Sequence, residues 1–279
     1  MRRTALHLTI AVAAACSEGG KPEPPPPVPR LVSLHDVTTE IVVALEAADR
    51  LVGMTDLVDA TTSVERAVAR VPRVGSLESI LDVRPDIVLG LDVVAEQSPE
   101  LVGRLRERGI EVYLADPATI DDVYAMTLAV AQRSGAAGAG DRLVAGLRAR
   151  VERESSTSRS RRVRVFVYDC CDPPFTAGGK TVLTDLIERA GGHNVFAELE
   201  TDWTSVSWEA VVARRPELVV IHSYKFDGQG DVSDKKRMLA AIPSLAQLPT
   251  VVVPLGWSLG GLRSADGLER LRSAMKEQP

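Results

Sequence analysis

The sequence predicts an α/β fold with two similar lobes and a ligand cleft between them. A segment that combines helix, proline and strand occurs twice, as LESILDVRPDIVL in residues 77–89 and as WEAVVARRPELVV in residues 208–220. In each copy the proline ends a short amphipathic helix, because it lacks an N–H donor and biases the preceding residue away from helix. The branched apolar run that follows is typical of a strand buried on both faces of a parallel sheet. Two such units half a chain apart predict two lobes, and the space between lobes is a common ligand site.

Composition and charge are those of a soluble globular chain. Of the 279 residues, 45% are hydrophobic and 25% are charged, which suits two lobes of about 100–130 residues each. The net charge is −5, and Lys and Arg form no basic stripe. No nucleic acid partner is therefore predicted.

The N-terminus predicts export. Residues 1–16 combine a charged start with a short apolar segment, as in a secretory signal peptide, and they are too short to cross about 30 Å of hydrocarbon. The small residues before Cys16 resemble a bacterial lipoprotein signal, in which that cysteine becomes lipidated. An ordinary signal peptide cut near Ala15 is the alternative. Residues 17–30 contain a proline run and predict an extended tether.

Residues 31–137 are assigned to the N-terminal lobe. Besides the first repeat, the predicted elements are strands at 31–34, 51–54 and 110–114 and helices at 40–48 (capped by Thr38 and Thr39), 98–109 and 120–134. Residues that directly follow the first two strands are predicted ligand contacts, because ligands of open α/β sheets bind at the carboxyl ends of strands. They are His35, Asp36, Thr55 and Asp56.

Residues 138–160 are assigned to a linker helix, which lies between the two lobes in the sequence. Leucine and valine recur at helical spacing between 141 and 154, and at about 1.5 Å per residue such a helix can cross the molecule. Residues 161–279 then form the C-terminal lobe, which closes with an amphipathic helix at 264–276.

The C-terminal lobe supplies most of the predicted ligand contacts. Strands are predicted at 163–168, in the second repeat and at 250–253, with a helix at 181–190. The predicted contacts lie in loops near the ends of these strands. They are Cys170, Cys171, Asp172, Trp203, His222, Tyr224 and Trp257.

Some of these side chains suit a metal ion. Two imidazoles and one or two thiolates, from His35, Cys170, Cys171 and His222, are ligands that Zn²⁺ or Cu⁺ accepts. Their spacing matches no local metal motif, however, and a histidine in a loop is more often a surface or hydrogen-bonding residue. The adjacent cysteines leave three alternatives open in an oxidising compartment: a vicinal disulfide, two free thiols or a metal-bound pair.

Aromatic residues concentrate in the second half of the chain. All three tryptophans and all four phenylalanines follow residue 160. Trp203, Tyr224 and Trp257 lie in predicted loops, where they can stack on a flat chelate such as a corrin or porphyrin. Trp208, within the second repeat, is assigned to the core.

An enzyme is the disfavoured alternative. Cys170 or Cys171 with His222 would be a nucleophile and base, but no nucleophile-elbow turn or family-specific signature surrounds them. The stretch 178–181 superficially resembles a phosphate-binding loop, yet Pro174 stands where its first glycine would be.

The repeated segment carries a resemblance to a known family. The pattern Glu-x-Ile/Val-Leu/Val-x-x-Arg-Pro-Asp/Glu-Ile/Leu-Val, once per lobe, is similar to that of the substrate-binding proteins of ABC importers for cobalamin, iron–siderophores and related chelates. The similarity extends through most of residues 31–258. It implies two Rossmann-like lobes joined by one long helix, in a monomeric, extracytoplasmic, lipid-anchored binding protein without a permanent cofactor. The implied ligand is a metal chelate; a bare transition-metal ion bound by His and Cys is the alternative.

The resemblance also implies a partner. Glu78 and Glu209 occupy equivalent places in the first turns of the two repeated helices, where a carboxylate is favoured by the helix dipole. In cobalamin and siderophore receptors one glutamate per lobe at this position docks onto the two-fold ABC permease. From the residues alone, the two acids are equally explained as helix-start carboxylates.

Overall fold

Two four-stranded parallel sheets, one in each lobe, form the framework of the fold. The computed structural model describes residues 28–155, 161–224 and 231–278. The predicted signal peptide, Cys16 and the tether up to residue 27 lie outside the described residues. Within the three described ranges, no helix is long and apolar enough to span a membrane. The predicted α/β class with two lobes is confirmed.

The first lobe contains four strands and the helices that cover them. The strands are β1 (Leu31–Ser33), β2 (Leu51–Met54), β3 (Ile87–Leu91) and β4 (Glu111–Ala115), and the helices are α1 (Asp36–Ala44), α2 (Thr62–Ala67), α3 (Leu77–Asp82), α4 (Val93–Gln97), α5 (Pro99–Glu107) and α6 (Ile120–Arg133). The sheet has the order β2-β1-β3-β4 and is parallel throughout. Because the strands are parallel, all their carboxyl ends lie along one edge.

A long helix, α7 (Ala137–Glu154), leads into the second lobe. The remaining elements are β5 (Val163–Tyr168), β6 (Phe175–Ala177), α8 (Val182–Arg189), β7 (Gly192–Asn194), β8 (Trp203–Ser205), α9 (Trp208–Ala213), β9 (Leu218–Ser223), α10 (Val232–Ala240), β10 (Thr250–Pro254) and α11 (Ser264–Lys276). The second parallel sheet has the order β10-β9-β5-β7, and β6 and β8 form a separate antiparallel pair. Sequence patterns did not predict this short pair.

An arginine strap fixes the repeated segment in the same way in each lobe. In the first lobe, the backbone N–H of Arg30 donates to Asp86 Oδ2 at 2.8 Å, and its Nε donates to the carbonyl of Arg84 at 2.9 Å. The second lobe makes the same two hydrogen bonds between the corresponding residues, Arg164, Glu217 and Arg215. The repeat visible in the sequence is therefore also a repeat of hydrogen bonds.

Helix α1 begins earlier than its sequence predicts. Thr38 and Thr39 are not its caps; they lie inside the helix, which starts at Asp36. His35 is the cap, since its Nδ1 accepts from the backbone N–H of Val37 at 3.2 Å. Threonine is the commoner cap by statistics, but the buried Thr38 and Thr39 hydroxyls bond to the end of β1 instead.

One hydrophobic cluster runs through both lobes. It contains core residues of β1 and β5, such as Leu31 and Val165, together with Val144, Leu147 and Val151 of α7. All of these side chains are at least nine-tenths buried. A shared, closely packed core resists bending between the lobes.

A buried group of charges, here named the interlobe clasp, also joins the lobes. Arg263, just before α11, places Nη2 2.9 Å from Glu40 Oε1 of α1 and Nη1 3.5 Å from Asp59 Oδ2. The backbone N–H of Gly256 donates to the same Asp59 oxygen at 2.6 Å. Exposure is 13% for the Arg263 side chain, 7% for Glu40 and 2% for Asp59.

Because of the interlobe clasp, we expect the free energy of unfolding to depend on pH. Burial raises the pKa of Glu40 to about 7, with Asp36 and Asp59 raising it further and Arg263 opposing the shift. The folded chain then holds this proton more tightly than the unfolded chain does, so its stabilisation is complete below the ordinary pKa of 4.5 and is lost as pH rises through 7. Relative to Glu40→Gln, the free energy of unfolding should fall by about 3 kcal/mol across that window. Urea titrations of both proteins from pH 4.5 to 8 measure this difference, and parallel curves would contradict the assignment.

Candidate functional site

A cleft of about 780 Å³ lies between the carboxyl ends of the two sheets. The first lobe contributes the segments that follow β1, β3 and β4. The second lobe contributes the β6–β8 pair, the start of α8 and the segment after β10. Its position agrees with the rule that parallel α/β sheets bind ligands at their carboxyl edges.

Two of the predicted ligand contacts, His35 and Trp203, line this cleft. The other predicted contacts do not line it: Asp36, Thr55, Asp56, Cys170, Cys171, Asp172, His222, Tyr224 and Trp257. The strand-end rule pointed to the edge of the sheets at which this cleft lies. It could not show which side chains at that edge are already engaged elsewhere.

The other predicted contacts of the first lobe, Asp36, Thr55 and Asp56, make contacts within their own lobe instead. Asp36 is 4% exposed, and its Oδ2 accepts from the backbone N–H groups of Val58 and Asp59, both at 2.8 Å. The Thr55 backbone N–H donates to the end of β1 at 2.9 Å. The Asp56 side chain is 91% exposed and faces an arginine of the same lobe at 3.4 Å.

Two predicted contacts of the second lobe also have other roles. Trp257 packs against the hydrophobic cluster shared by the lobes. Asp172 is exposed and accepts from the indole Nε1 of Trp208 at 3.0 Å, which ties the segment after β5 to the first turn of α9.

Cys170 and Cys171 form a vicinal disulfide. Of the three alternatives, this one removes the thiolates that a metal or a nucleophilic mechanism would need. The turn is held by backbone groups: Phe175 N–H donates to the Cys170 carbonyl at 2.9 Å, and the Tyr168 hydroxyl donates to the Cys171 carbonyl at 3.0 Å. The disulfide turn thereby positions Phe175, which lines the cleft.

The predicted metal site of His35, Cys170, Cys171 and His222 is not assembled. Among the described residues, no group of three or more His, Cys, Asp or Glu side chains is arranged to hold a metal ion. His222 is fully buried, and both of its ring nitrogens lie within hydrogen-bond distance of protein oxygens. The donor set therefore does not fit a bare transition-metal ion.

A buried polar chain leads from His222 to the cleft. His222 Nδ1 lies 2.6 Å from Asp169 Oδ1 and Nε2 lies 2.9 Å from the Ser258 hydroxyl, which lines the cleft. The Tyr224 hydroxyl donates to the same Asp169 oxygen at 2.5 Å, and Lys235 Nζ donates to the His222 carbonyl at 2.7 Å. Burial alone would raise the pKa of Asp169, but hydrogen bonds and charge from His222, Tyr224 and Lys235 hold it below its usual value. Asp169 is therefore ionised, and it holds this series of hydrogen-bonded side chains in place.

Aromatic rings form one wall of the cleft. Phe175 and Trp203 stack with centroids 6.2 Å apart and planes 18° apart, and both line the cleft. The Trp203 ring also packs against His222, with centroids 5.5 Å apart. The buried imidazole therefore supports the aromatic wall from behind instead of contacting the cleft.

Carboxylates dominate the charge of the cleft, and the sequence prediction missed them. They are Asp92, Glu96, Asp116, Glu200 and Asp202, against one lysine, Lys180, among the described residues of the lining. The pKa of Asp116 is raised by burial and by Asp202 of the facing lobe, and Asp92 adds to the shift. Two of these acids, Asp92 and Asp116, directly follow β3 and β4, so the strand-end rule applied to those strands would have found them.

His35 presents one hydrogen-bond donor. Burial lowers the pKa of its imidazole, with Asp36 partly opposing the shift, so the ring is neutral at pH 7. Because Nδ1 accepts from the Val37 N–H, the proton resides on Nε2.

Glu78 and Glu209 lie away from the cleft at matched places in the two lobes. Each is exposed in the first turn of its helix, α3 or α9. A hydrogen bond from its own backbone N–H lowers the pKa of each carboxyl, and a bond from the capping serine, Ser76 or Ser207, lowers it further. Both acids are therefore held ionised in the same geometry.

The chain is similar to proteins of known family. The family model described as periplasmic binding protein matches residues 31–251. A vitamin B12-binding protein of Yersinia pestis is 28% identical over 194 residues, covering 69% of each chain. Among solved structures, a periplasmic binding protein of Veillonella parvula has a TM-score of 0.79 at 22% identity, with 90% of this chain and 93% of that chain covered. The periplasmic vitamin B12 binding protein of Vibrio cholerae has a TM-score of 0.74 at 20% identity, covering 88% and 96%.

The family match covers most of both lobes, including both copies of the repeated segment. The solved structures share the fold over 90% and 88% of this chain. The chain is a binding protein, not an enzyme, and it belongs to the periplasmic binding protein family.

Proposed function

We propose that the chain is the extracytoplasmic substrate-binding protein of an ABC importer and that its ligand is a corrinoid. Curated relatives described as vitamin B12-binding proteins support this ligand class. The main support for this proposal is the composition of the cleft. The described residues of its lining combine a stacked pair of aromatic rings with many carboxylates and few cations.

Size and shape favour a flat chelate. A cleft of about 780 Å³ falls within the range of about 300–1,000 Å³ for small-molecule sites. The Phe175–Trp203 pair offers apolar area against which a macrocycle can lie, with ring contacts adding to simple burial. The open side of the cleft lets the bulky groups of a corrinoid extend into solvent.

The negative charge of the cleft lining favours a corrinoid over other flat or iron-containing ligands. The periphery of a corrinoid consists largely of neutral amides, whose N–H groups can donate to carboxylates. Haem carries two propionates, and many iron–siderophore complexes are anionic, so both would meet like charge from Asp92, Asp116 and Asp202. A bare metal ion is disfavoured because the described donors do not cluster.

Ligand titration tests the proposal. Cyanocobalamin should bind in the micromolar range or tighter, and more tightly than haemin or ferric enterobactin, both of which carry carboxylate or catecholate negative charge, at equal ionic strength. Trp203→Ala should weaken cyanocobalamin binding at least about tenfold, because the aromatic wall is lost. Isothermal titration calorimetry gives the affinities, and Tyr113→Ala, which removes a half-buried aromatic ring outside the cleft lining, is the matched control. Preferred binding of haemin would overturn the corrinoid assignment while leaving the family intact.

Closure on the ligand should be small. The lobes share a hydrophobic cluster, are joined by α7 and are held by the interlobe clasp, which together resist a wide hinge motion. Small-angle scattering curves with and without cyanocobalamin should therefore nearly superimpose. A clear decrease in the radius of gyration on binding would show that the lobes are not rigidly joined.

The partner of the loaded receptor is proposed to be the permease dimer of the importer. Two exposed, ionised glutamates at matched places in the two lobes, Glu78 and Glu209, suit a partner with two-fold symmetry and basic docking residues. Lipidation of Cys16, joined to the folded lobes by the tether, would hold the receptor near that partner.

A further inference from the structure

Ser258 connects the cleft to the buried pair of Asp169 and His222. The residue belongs to the cleft lining although it is only 4% exposed. Its hydroxyl lies 2.9 Å from His222 Nε2 and 2.8 Å from the carbonyl oxygen of Leu255. Each neighbour restricts where the single hydroxyl proton can point.

The protonation of His222 determines whether the Ser258 hydroxyl can donate a hydrogen bond to a ligand or only accept one. If His222 carries one proton, the ionised Asp169 holds it on Nδ1, so Nε2 is an acceptor and receives the Ser258 proton. If His222 carries two protons, Nε2–H donates to Ser258, whose own proton then goes to the Leu255 carbonyl. Either way the proton is already used, and only a lone pair of the hydroxyl remains for a ligand.

The surrounding lining has the same character. The carboxylates of Asp92, Asp116 and Asp202 are acceptors when ionised. The donors of the lining are Lys180 and His35 Nε2–H, together with the neutral side chains of Gln97, Thr201 and Trp203. A ligand group that brings its own N–H meets many acceptors at this site. A group that is itself an acceptor meets repulsion or an unmatched lone pair.

We propose that Ser258 is a specificity-determining residue whose hydroxyl accepts a hydrogen bond from a ligand amide, so that the cleft distinguishes an amide from the corresponding carboxylate. The inference rests on the proposed corrinoid function and deepens it by assigning one polar contact. Asp169 and His222 matter because they fix the direction of the hydroxyl proton. Without them the hydroxyl could rotate and donate to a carboxylate as well.

The test uses cyanocobalamin and its isomeric monocarboxylates, in each of which one side-chain amide has been hydrolysed to the acid. The wild-type protein should bind at least one isomer about tenfold or more weakly than cyanocobalamin. Ser258→Ala should bind cyanocobalamin about five- to tenfold more weakly, and should lose most of the penalty against that one isomer. Ser205→Ala, which removes an exposed hydroxyl on β8 outside the cleft lining, should change neither quantity.

The outcomes separate the two proposals. A general loss of folding would weaken every ligand by the same factor, whereas the loss of one contact changes the ratio between the amide and a single acid. If cyanocobalamin binds the wild type but Ser258→Ala leaves every ratio unchanged, the role of Ser258 is wrong and the corrinoid function stands. If the wild-type protein binds none of the corrinoids, the proposed ligand is wrong and the assignment of Ser258 falls with it.

Discussion

Arg263→Ala is expected to lower the free energy of unfolding by about 3–5 kcal/mol at pH 8, because removing one partner of a buried ion pair leaves uncompensated charge. Arg263 is the cation of the interlobe clasp, and its loss leaves the buried carboxyls of Glu40 and Asp59 facing each other without it. The pKa of Glu40, already raised by burial, then rises further, because the Arg263 guanidinium no longer opposes the shift.

Chemical denaturation of the purified protein measures this effect. Arg237→Ala is the matched control, since Arg237 pairs with Asp234 on the surface of α10 with 73% of its side chain exposed. Such exposed pairs contribute about 0–1 kcal/mol. At pH 5 the cost of Arg263→Ala should be smaller, because Glu40 is then protonated. A cost below about 1 kcal/mol at pH 8, close to that of an exposed pair, would show that the clasp does not hold the lobes.

Replacing both Glu78 and Glu209 by glutamine should reduce ligand transport at least about tenfold while leaving ligand affinity unchanged. The two carboxylates lie outside the cleft and are exposed, so the substitutions leave the binding site intact. Each lost charge weakens the encounter with a basic permease surface and its register. The transport rate of the unmodified receptor should also fall as salt is added, since exposed charges are screened.

Uptake into cells or reconstituted vesicles at limiting receptor concentration is the measurement. The control is the double variant Glu65→Gln and Glu100→Gln, which neutralises two other exposed acids in first turns of helices. Equal uptake by both double variants would show that Glu78 and Glu209 act only as helix-start carboxylates and do not dock onto the permease. A single variant with an intermediate rate would show that each lobe docks separately.

The fold was predictable because its signals are local. Proline, the buried apolar runs and the helical spacing of leucine and valine located β5, α6, α7 and α11 close to their observed bounds. The β6–β8 pair was missed because its strands are three residues long and, unlike β1, contain no run of branched apolar residues.

The site was harder to predict because it depends on which polar groups already have partners. His222 and Asp36 were placed correctly near strand ends, but one is hydrogen-bonded on both ring nitrogens and the other binds two backbone N–H groups. Those contacts join segments far apart in the chain, and neither residue spacing nor composition reports them. The vicinal disulfide was one of several states allowed by sequence, and the folded turn shows which one forms.

The matched arginine straps point to the ancestry of the molecule. Two lobes that share the same helix, proline, strand and side-chain-to-backbone hydrogen bonds are most simply explained by duplication of one ancestral half-chain. At the opposite edge of the sheets the halves have diverged, since β1 leads directly into α1 whereas β5 leads into the disulfide turn and the β6–β8 pair. Each lobe therefore has a retained end, where the arginine strap lies, and a variable end at the opposite edge of its sheet. New ligand preferences can arise by changing the variable end of one half, while the other half and the strapped ends keep the fold.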